Sequence, residues 1–238
     1  MPQQSEVSMK IQNIKIGNIP SIIWGDRSDK VYVHVHGKMS CKEHARDFAE
    51  IAVKKGYQTL SFDLPEHGER KDSSYRCDIW NGINDLTLIG DYAFSNWDHV
   101  SLFGCSLGAY FSLNAYTNSN FVNCLFQSPV LNMEYLIKQM FNWFDVTEEQ
   151  LRIQKEIVTS VDLLRWDYYK FVKEHPVKKW NIPTSILYGR KDSMQSLEIV
   201  KDFAKSHDCK LEISQNSDHP FMQKEDVKIV HAWLEENI

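Results

Sequence analysis

The spacing of hydrophobic and polar positions predicts strands at the start of the chain and a helix soon after. Apolar and polar residues alternate in MKIQNIKI and PSIIWG, and Gly17 and Asn18 between them favour a β-hairpin turn. β-Branched residues are frequent in KVYVHVHG, which predicts a third strand. Apolar residues at helical spacing within 42–55 then predict a helix that ends at Gly56, before the strand YQTLSFDL.

The alternation of strands and helices continues to about residue 129. Helical spacing occurs at about 78–95 and from Ser106 to about Asn118, and strands are predicted at HVSLFGC and FVNCLFQSP. The pattern resumes with the strand PTSILYGR, a helix at about 195–206, the strand CKLEIS and a terminal amphipathic helix. Such alternation predicts right-handed crossovers and an α/β fold with a mainly parallel central sheet flanked by helices.

Residues 131–181 interrupt this rhythm. Apolar spacing from residue 131 to about 180 is helical throughout, and the interruption is much longer than a normal crossover connection. We therefore expect a helical cap inserted between the sixth and seventh strands of a single domain that spans residues 1–238. The composition agrees with one α/β domain, since 42% hydrophobic residues in a chain of 238 supply a sizeable core.

Charge and composition argue against several kinds of partner. A net charge of −5 and a pI near 6.0 supply no extended basic surface, so we expect no nucleic-acid partner. Residues 1–17 lack the cationic start and apolar run of a secretory signal, and no stretch reaches the roughly 20 apolar residues of a membrane span. Five scattered cysteines without CxxC spacing indicate neither a disulfide framework nor a zinc site. We therefore expect a cytoplasmic protein.

The segment around Ser106 is the most informative one for chemistry. An apolar strand runs into Gly104-Cys105-Ser106-Leu107-Gly108 and then into a helix, which is GxSxG in a strand–turn–helix context. The glycines leave room for the strand and helix backbones to approach closely. Such a turn lifts the serine hydroxyl above the sheet and directs the first helix amides, starting with Leu107, at a developing oxyanion. The pentapeptide also fits a tight turn with a helix-capping serine.

A serine nucleophile needs a base, and the base needs an orienting acid. Asp192 follows the strand ILYGR, and His219 follows the last strand in the loop QNSDHPF. Because the carboxyl ends of parallel strands share one edge of a sheet, we expect Ser106, His219 and Asp192 to meet there as nucleophile, base and acid. Taken singly, Asp192 also fits a turn or N-cap, and His219 fits a helix start. Asp218 is the rival acid, but it is adjacent to His219 and would reach the correct side of the ring awkwardly.

Five segments make the chain similar to the α/β-hydrolase superfamily. They are His36-Gly37-Lys38, Asp63-Leu64-Pro65-Glu66-His67-Gly68, Gly104 to Gly108, Gly189-Arg190-Lys191-Asp192 and Asp218-His219. The resemblance implies the α/β-hydrolase fold from about Lys30 onward. It also implies that Lys38, after the His-Gly pair, donates the second oxyanion-hole amide. Met39 is the alternative, since the sequence departs from the HGGG form of some lipases and esterases.

Three further features have weaker functional interpretations. His34 and His36 share one face of a strand, but no third ligand is apparent, which favours packing and loop roles over a metal site. Cys105 lies inside the turn, where the family geometry directs Ser106 outward, so we expect Cys105 to be a buried, small apolar residue. No GxGxxG or Walker segment indicates a bound nucleotide, and we expect no cofactor and no metal.

Aromatic residues are concentrated in the predicted cap. Stripes at helical spacing are usually buried for stability, but those in a cap also line substrate pockets. These side chains therefore either line an acyl or aryl pocket or pack the cap core. They are Phe141, Trp143, Phe144, Trp166, Tyr168 and Tyr169, and the first four are the predicted pocket residues.

The sequence thus predicts a serine hydrolase that acts on a small-molecule acyl substrate, namely a small or medium uncharged carboxylic ester, through an acyl-enzyme on Ser106. Cleavage of an amide, peptide or thioester would use the same residues and stays an alternative. A ligand-binding protein that keeps the fold but turns over negligibly is the second alternative, since a fold does not fix function. The oligomeric state is left open by the sequence.

Overall fold

The computed structural model describes residues 9–238. The expectation of a start without a secretory signal rests partly on residues 1–8, which lie outside that range. Within the described residues, no helix combines the length and the apolar character needed to span a bilayer.

The structure is built on a central β-sheet. Eight strands form it within the described residues, and two further strands pair as a separate antiparallel hairpin. In chain order the ten strands are β1 (Ile11–Ile16), β2 (Ile19–Trp24), β3 (Lys30–Val35), β4 (Gln58–Phe62), β5 (His99–Cys105), β6 (Cys124–Gln127), β7 (Glu156–Val158), β8 (Leu163–Arg165), β9 (Thr184–Gly189) and β10 (Lys210–Ser214). The hairpin consists of β7 and β8.

The sheet is mainly parallel, which confirms the predicted fold class. Its spatial order is β1-β2-β4-β3-β5-β6-β9-β10. The β1–β2 and β2–β4 pairs are antiparallel, and the remaining five pairs are parallel. The carboxyl ends of β4, β3, β5, β6, β9 and β10 therefore lie along one edge, where ligand-binding loops gather in open α/β sheets.

Helices alternate with these strands as predicted. The α-helices of the described chain are α1 (Arg46–Lys54), α2 (Ile79–Asn96), α3 (Leu107–Ala115), α4 (Met133–Trp143), α5 (Glu148–Gln154), α6 (Trp166–Glu174), α7 (Leu197–Ser206) and α8 (Asp226–Asn237). Short 3-10 helices add Lys42–Ala45 and Gly68–Arg70. Each helix predicted outside 131–181 is present, with ends displaced by a few residues.

Helices cover both faces of the sheet. In β3, Val31, Val33 and Val35 share a hydrophobic cluster with side chains of α2 and α3. Tyr32 points to the opposite face and packs with side chains of α1 and α8. Because successive side chains of a strand point to opposite faces, a strand covered on both sides needs an apolar or satisfied residue at every position. This requirement explains the nearly continuous burial of KVYVHV.

The segment between β6 and β9 differs from its prediction. It is not helical throughout 131–180, because α5 ends where Lys155 adopts a φ of 69° and the β7–β8 hairpin follows. Thr159 closes the hairpin turn, since its backbone N–H and its hydroxyl both donate to the Asp162 carbonyl oxygen. Ile157 and Leu164 are cross-strand partners, so their apolar spacing comes from strand pairing. A short run of apolar residues fits both helical spacing and strand alternation, and pairing with a distant segment decides which structure forms. The boundaries 131–181 and the single-domain assignment stay predictions.

A close approach of α3 to the end of β3 brings the candidate site together. A Cβ atom on Gly108 would lie 2.3 Å from the carbonyl oxygen of Val35 and 2.5 Å from that of His36. These separations are far below van der Waals contact, so a side chain at this position would push the helix away from the strand. The loop after β3 and the start of α3 can be neighbours because residue 108 is glycine.

We expect Gly108→Ala to lower the free energy of unfolding by about 3 kcal/mol, because the added methyl group meets backbone atoms that have little freedom to move. Urea denaturation followed by far-ultraviolet circular dichroism measures the change. Gly17→Ala is the control, since residue 17 has a φ of 58° but no atom within 4 Å of the added Cβ. Backbone strain should cost that variant about 1 kcal/mol. Equal losses in the two variants would contradict the steric explanation.

Candidate active site

Ser106 lies in a strained turn between β5 and α3. Its φ of 51° and ψ of −114° fall outside the regions that residues other than glycine usually adopt. Its backbone N–H donates to the Gln127 carbonyl oxygen at 3.1 Å, and its carbonyl oxygen accepts from the N–H of Val130 at 3.2 Å. These two bonds tie the turn to the end of β6 and to the residues just after it, and they hold the unfavourable conformation in place.

The loop after β3 lies directly beside this turn. A Cβ atom on Gly37 would be 3.2 Å from the Cβ of Ser106 and 3.3 Å from the carbonyl oxygen of Cys105. The segment that the family resemblance assigns to the oxyanion hole is therefore adjacent to the serine.

The structure brings Ser106, His219 and Asp192 into one hydrogen-bonded chain. The Ser106 Oγ lies 2.8 Å from His219 Nε2, and His219 Nδ1 lies 2.7 Å from Asp192 Oδ2. An ionised carboxylate only accepts, so Nδ1 of the neutral ring carries the proton and Nε2 accepts from the serine hydroxyl. In this tautomer the ring can take a proton from Ser106.

Asp192, at the end of this series of hydrogen bonds, is buried, and both of its carboxylate oxygens are hydrogen-bonded. The Asp192 side chain has no exposed surface, and the His219 side chain is 7% exposed. The second carboxylate oxygen, Oδ1, accepts from the backbone N–H groups of Met194 at 2.7 Å and Gln195 at 3.3 Å. A buried carboxylate needs such donors. Here they also orient the oxygen that faces the imidazole.

Backbone contacts hold the aspartate loop against the histidine loop. Lys191 donates its N–H to the Ser217 carbonyl oxygen at 3.0 Å. A Cβ atom on Gly189 would lie 2.6 Å from the same oxygen, so glycine permits this approach. The ends of β9 and β10 thereby keep Asp192 and His219 within reach of each other.

The rival acid, Asp218, is bonded elsewhere. Its Oδ2 accepts from Gln223 Nε2 at 3.2 Å, within its own loop. Of the two aspartates, the structure brings Asp192 to the imidazole.

Backbone geometry favours Lys38 over Met39 as the second oxyanion donor. The Met39 N–H donates to His67 Nε2 at 3.1 Å. Within residues 9–238, by contrast, no protein acceptor engages the Lys38 N–H. Leu107 is the first residue of α3, where backbone N–H groups have no partner inside the helix. The assignment of Lys38 and Leu107 to an oxyanion hole stays a prediction.

The four predicted pocket residues are spread over the segment between β6 and β9. Phe141 is 8% exposed and packs edge-to-face on Tyr169, with ring centroids 5.2 Å apart, and Trp166 lies 5.9 Å from the same ring. Phe144 is half-buried against the same cluster, whereas Trp143 is 45% exposed. These contacts favour core packing for Phe141, Phe144 and Trp166, and the pocket role of the four residues stays a prediction.

Sequence reasoning missed two glutamines that position the site loops. Gln127 donates from Nε2 to the Pro220 carbonyl oxygen at 2.8 Å, in the loop that carries the histidine. Gln195 is fully buried, and its Oε1 accepts from the N–H groups of Leu131 at 3.0 Å and Asn132 at 2.8 Å. Gln127 is the last residue of β6, and Gln195 lies in the loop after β9. A neutral amide side chain carries no charge, spacing or motif that marks it, so only a position at or after the end of a parallel strand could have suggested a role.

An ion pair links the loop beside Ser106 to the hairpin. Lys38 Nζ contacts Asp162 Oδ2, and the two side chains are 42% and 44% exposed. Exposed pairs of this kind contribute little stability. The contact therefore joins the β7–β8 hairpin to the site without fixing it firmly.

His34 and His36 have packing and loop roles in the structure. His34 stacks on Phe103 with centroids 4.5 Å apart, and burial lowers the pKa of His34 to about 3. His36 accepts at Nε2 from the Leu64 N–H at 3.1 Å. Across the part of the chain that the structure describes, no group of three or more His, Cys, Asp or Glu side chains could hold a metal ion.

Cys105 precedes Ser106 in the turn, and its surroundings disfavour the reactive thiolate form. The residue keeps some exposed surface. Burial of the sulfur nevertheless raises the pKa of the thiol to about 12, with an added contribution from the charge of Asp192. A thiol in this state offers almost no thiolate at neutral pH, which fits a small apolar role. The residue as a whole is half-buried, however, and not buried as predicted.

Comparison with models of known protein families gives no match, and comparison with curated proteins gives none either. Solved structures do match. Est1E from Butyrivibrio proteoclasticus, determined with bound ferulic acid, has a TM-score of 0.76 at 18% identity over 94% of this chain and 96% of that chain. An esterase from Pyrococcus furiosus has a TM-score of 0.70 at 18% identity, over 96% of this chain and 89% of that one. Mouse α/β hydrolase domain-containing protein 10 has a TM-score of 0.75 at 15% identity, over 95% of this chain and 97% of that one.

These similarities cover nearly the whole chain and concern its architecture. The chain has the α/β-hydrolase fold. Since one fold hosts many activities, chemistry has to be argued from the site itself.

We expect the Cys105 thiol to react slowly with iodoacetamide in the folded protein at pH 8. A pKa near 12 leaves about one thiolate in 10⁴ thiols, and unfolding restores a pKa of about 8.5, so alkylation in urea should be about 10³-fold faster. Mass spectrometry of the peptide that contains Cys105 measures both rates. Similar rates in the folded and unfolded protein would contradict the burial of this thiol.

Proposed function

We propose that this chain, which has the α/β-hydrolase fold, is a serine hydrolase that cleaves a small or medium uncharged carboxylic ester through an acyl-enzyme on Ser106. The observation that carries the proposal is the hydrogen-bonded chain from the Ser106 Oγ through His219 to the buried Asp192. A hydroxyl beside the acceptor nitrogen of an oriented imidazole is the arrangement that nucleophilic catalysis by serine requires.

Acylation begins when the Ser106 Oγ attacks the ester carbonyl carbon and His219 Nε2 takes the hydroxyl proton. The carbonyl oxygen gains the negative charge, and the N–H groups of Lys38 and Leu107 donate to it. Asp192 stabilises the imidazolium that forms. As the tetrahedral intermediate collapses, the bond to the alcohol oxygen breaks, Nε2 returns its proton to that oxygen, and the acyl group stays on Ser106.

Deacylation reverses these roles with water as the nucleophile. His219 Nε2 takes a proton from the water that attacks the acyl carbon, and the same two amides hold the oxyanion. Collapse breaks the bond to the Ser106 Oγ, which receives the proton from Nε2. One ester and one water thus give one carboxylic acid and one alcohol.

Burial of the site supports an uncharged substrate. Ser106 is 8% exposed and the His219 side chain is 7% exposed, so a substrate loses most of its hydration before it reaches the hydroxyl. Loss of hydration is costly for a charged acyl group and small for an apolar one. Ferulic acid, bound in the Est1E structure, is a carboxylic acid like the product proposed here.

Two alternatives are separated by simple assays. Amide, peptide and thioester hydrolysis would use the same residues and differ in the leaving group, so a panel of matched acyl esters, thioesters and amides ranks them by kcat/KM. A ligand-binding protein without turnover would keep the fold but would not be labelled at Ser106 by a fluorophosphonate.

We expect Ser106→Ala to lower kcat for p-nitrophenyl butyrate by about 10⁴-fold or more, because the nucleophile is lost while binding is kept. Release of p-nitrophenolate measures the rate, and circular dichroism checks the fold. Cys105→Ala alters the neighbouring side chain in the same turn and should keep most of the activity. Full activity in Ser106→Ala would exclude Ser106 as the nucleophile.

We expect Asp192→Asn to lower kcat by about 10⁴-fold, because an amide that donates to the imidazole stabilises the wrong tautomer. Asp218→Asn is the matched control: this aspartate lies next to His219 but bonds to Gln223, so its activity should stay close to that of the wild type. The same p-nitrophenyl butyrate assay compares the two variants. A large loss of activity in Asp218→Asn with none in Asp192→Asn would show that Asp218, and not Asp192, is the acid.

A further inference from the structure

A pair of histidines connects the loop beside Ser106 to the loop that follows β4. We call residues 36–39 the oxyanion loop and residues 63–68, which follow β4, the β4 loop. Each loop contributes one histidine, and the ring centroids of His36 and His67 are 5.3 Å apart. Both residues are buried, at 2% and 8% exposure, so their ring nitrogens need partners within the protein.

His36 bonds to both loops. Its Nε2 accepts from the Leu64 N–H at 3.1 Å, and its Nδ1 lies 2.7 Å from the Gly37 carbonyl oxygen. Because an amide N–H only donates and a carbonyl only accepts, the ring is neutral and carries its proton on Nδ1. Burial lowers the pKa of His36 to about 4, which agrees with a neutral ring at pH 7.

His67 repeats this arrangement with the loops exchanged. Its Nε2 accepts from the Met39 N–H at 3.1 Å, and its Nδ1 donates to the Pro65 carbonyl oxygen at 2.7 Å. Each ring therefore donates to a carbonyl of its own loop and accepts from an amide of the other loop. The two loops are held together by reciprocal contacts.

We propose that His36 and His67 are positioning residues that hold two successive peptide groups of the oxyanion loop and thereby aim the Lys38 N–H at the oxyanion that forms on Ser106. The inference rests on the proposed function, because it concerns the oxyanion of that reaction.

His36 fixes the peptide group that carries the Lys38 N–H. The C=O and N–H of a trans peptide point in opposite directions. Holding the Gly37 carbonyl oxygen against His36 therefore directs the Lys38 N–H away from that ring. A Cβ atom on Gly37 would be 3.2 Å from the Cβ of Ser106, so this peptide group lies in the immediate surroundings of the serine.

His67 fixes the next peptide group through its N–H. Met39 has a φ of 62°, in the left-handed region that a methionine rarely adopts, and the residue is 86% exposed. Packing of the side chain therefore does little to offset the backbone strain. The bond from the Met39 N–H to His67 opposes this strain and keeps the oxyanion loop in one conformation.

The β4 loop provides a firm support for both rings. The fully buried Asp63 carboxylate accepts from the N–H and the Nζ of Lys42, both at 2.9 Å, and from the Glu69 N–H at 3.0 Å. A Cβ atom on Gly68 would lie 2.1 Å from the same carboxylate, so the loop closes tightly around it. A loop anchored in this way can hold another loop in place.

Asparagine and glutamine can each reproduce the hydrogen bond of one of the two ring nitrogens of a histidine. The asparagine amide nitrogen can occupy the place of Nδ1, and the glutamine amide oxygen can occupy the place of Nε2. The oxyanion loop is held by Nδ1 of His36 but by Nε2 of His67. We therefore expect crossed rescue: His36→Asn and His67→Gln keep the contact with the oxyanion loop, whereas His36→Gln and His67→Asn lose it.

We expect kcat for p-nitrophenyl butyrate to fall about 10- to 100-fold in His36→Gln and His67→Asn, with KM changed by less than about threefold. The reason is that a misplaced N–H donor weakens binding of the transition state more than binding of the ester. His36→Asn and His67→Gln should stay within about fivefold of the wild-type kcat. The affinity for a trifluoromethyl ketone, which forms an oxyanion adduct with Ser106, should fall in parallel with kcat/KM. Rates are divided by the number of sites that a fluorophosphonate titrates, so that unfolded protein is not counted.

The same measurements separate two kinds of failure. Equal kcat values in all four variants, or equal losses that follow thermal stability without the crossed pattern, would overturn the inference and leave the proposed function intact. A wild-type protein that is neither labelled at Ser106 nor active on the ester would overturn the proposed function, and the inference with it.

Discussion

Ser106 adopts a backbone conformation that its residue type disfavours, and the surrounding sheet holds it there. A φ of 51° in a non-glycine residue costs on the order of 1–3 kcal/mol. Backbone bonds to Gln127 and Val130 fix the turn from the side of β6, and Gly108 allows α3 to start close to the end of β3. This turn sets the position of the Ser106 hydroxyl, and that position decides which loops can reach it.

The polar chain behind Ser106 is compatible with burial because each member has a partner. The Asp192 carboxylate is fully buried and receives the His219 Nδ1–H and two backbone N–H groups. Such a network is rigid when it is complete and costly when a member is missing, since water cannot replace a lost partner in the interior. The folded chain alone thus sets the orientation of this network, and such preorganisation is what the proposed mechanism requires.

The parts of the site differ in how firmly they are held. In the β4 loop, Asp63 forms a buried pair with Lys42, with 0% and 2% side-chain exposure. The contact of Lys38 with Asp162 on the hairpin is, by contrast, largely exposed and weak. The proposed chemistry therefore resides on loops fixed by the sheet. Within the segment between β6 and β9, the buried Gln195 bonds hold residues 131 and 132 to the loop after β9, whereas the Lys38–Asp162 contact of the β7–β8 hairpin is exposed.

The sequence by itself determined the fold class and the candidates for nucleophile, base and acid. Strand–helix alternation and GxSxG are local patterns, and chain order then places Ser106, Asp192 and His219 at the ends of parallel strands. Tertiary structure decided the β7–β8 hairpin within a segment of helical spacing, and it decided that the Met39 amide binds His67. Periodicity reports which face of a segment is buried but not which distant segment it meets. Contacts between loops depend on the order of strands in the sheet, which no local pattern along the chain encodes.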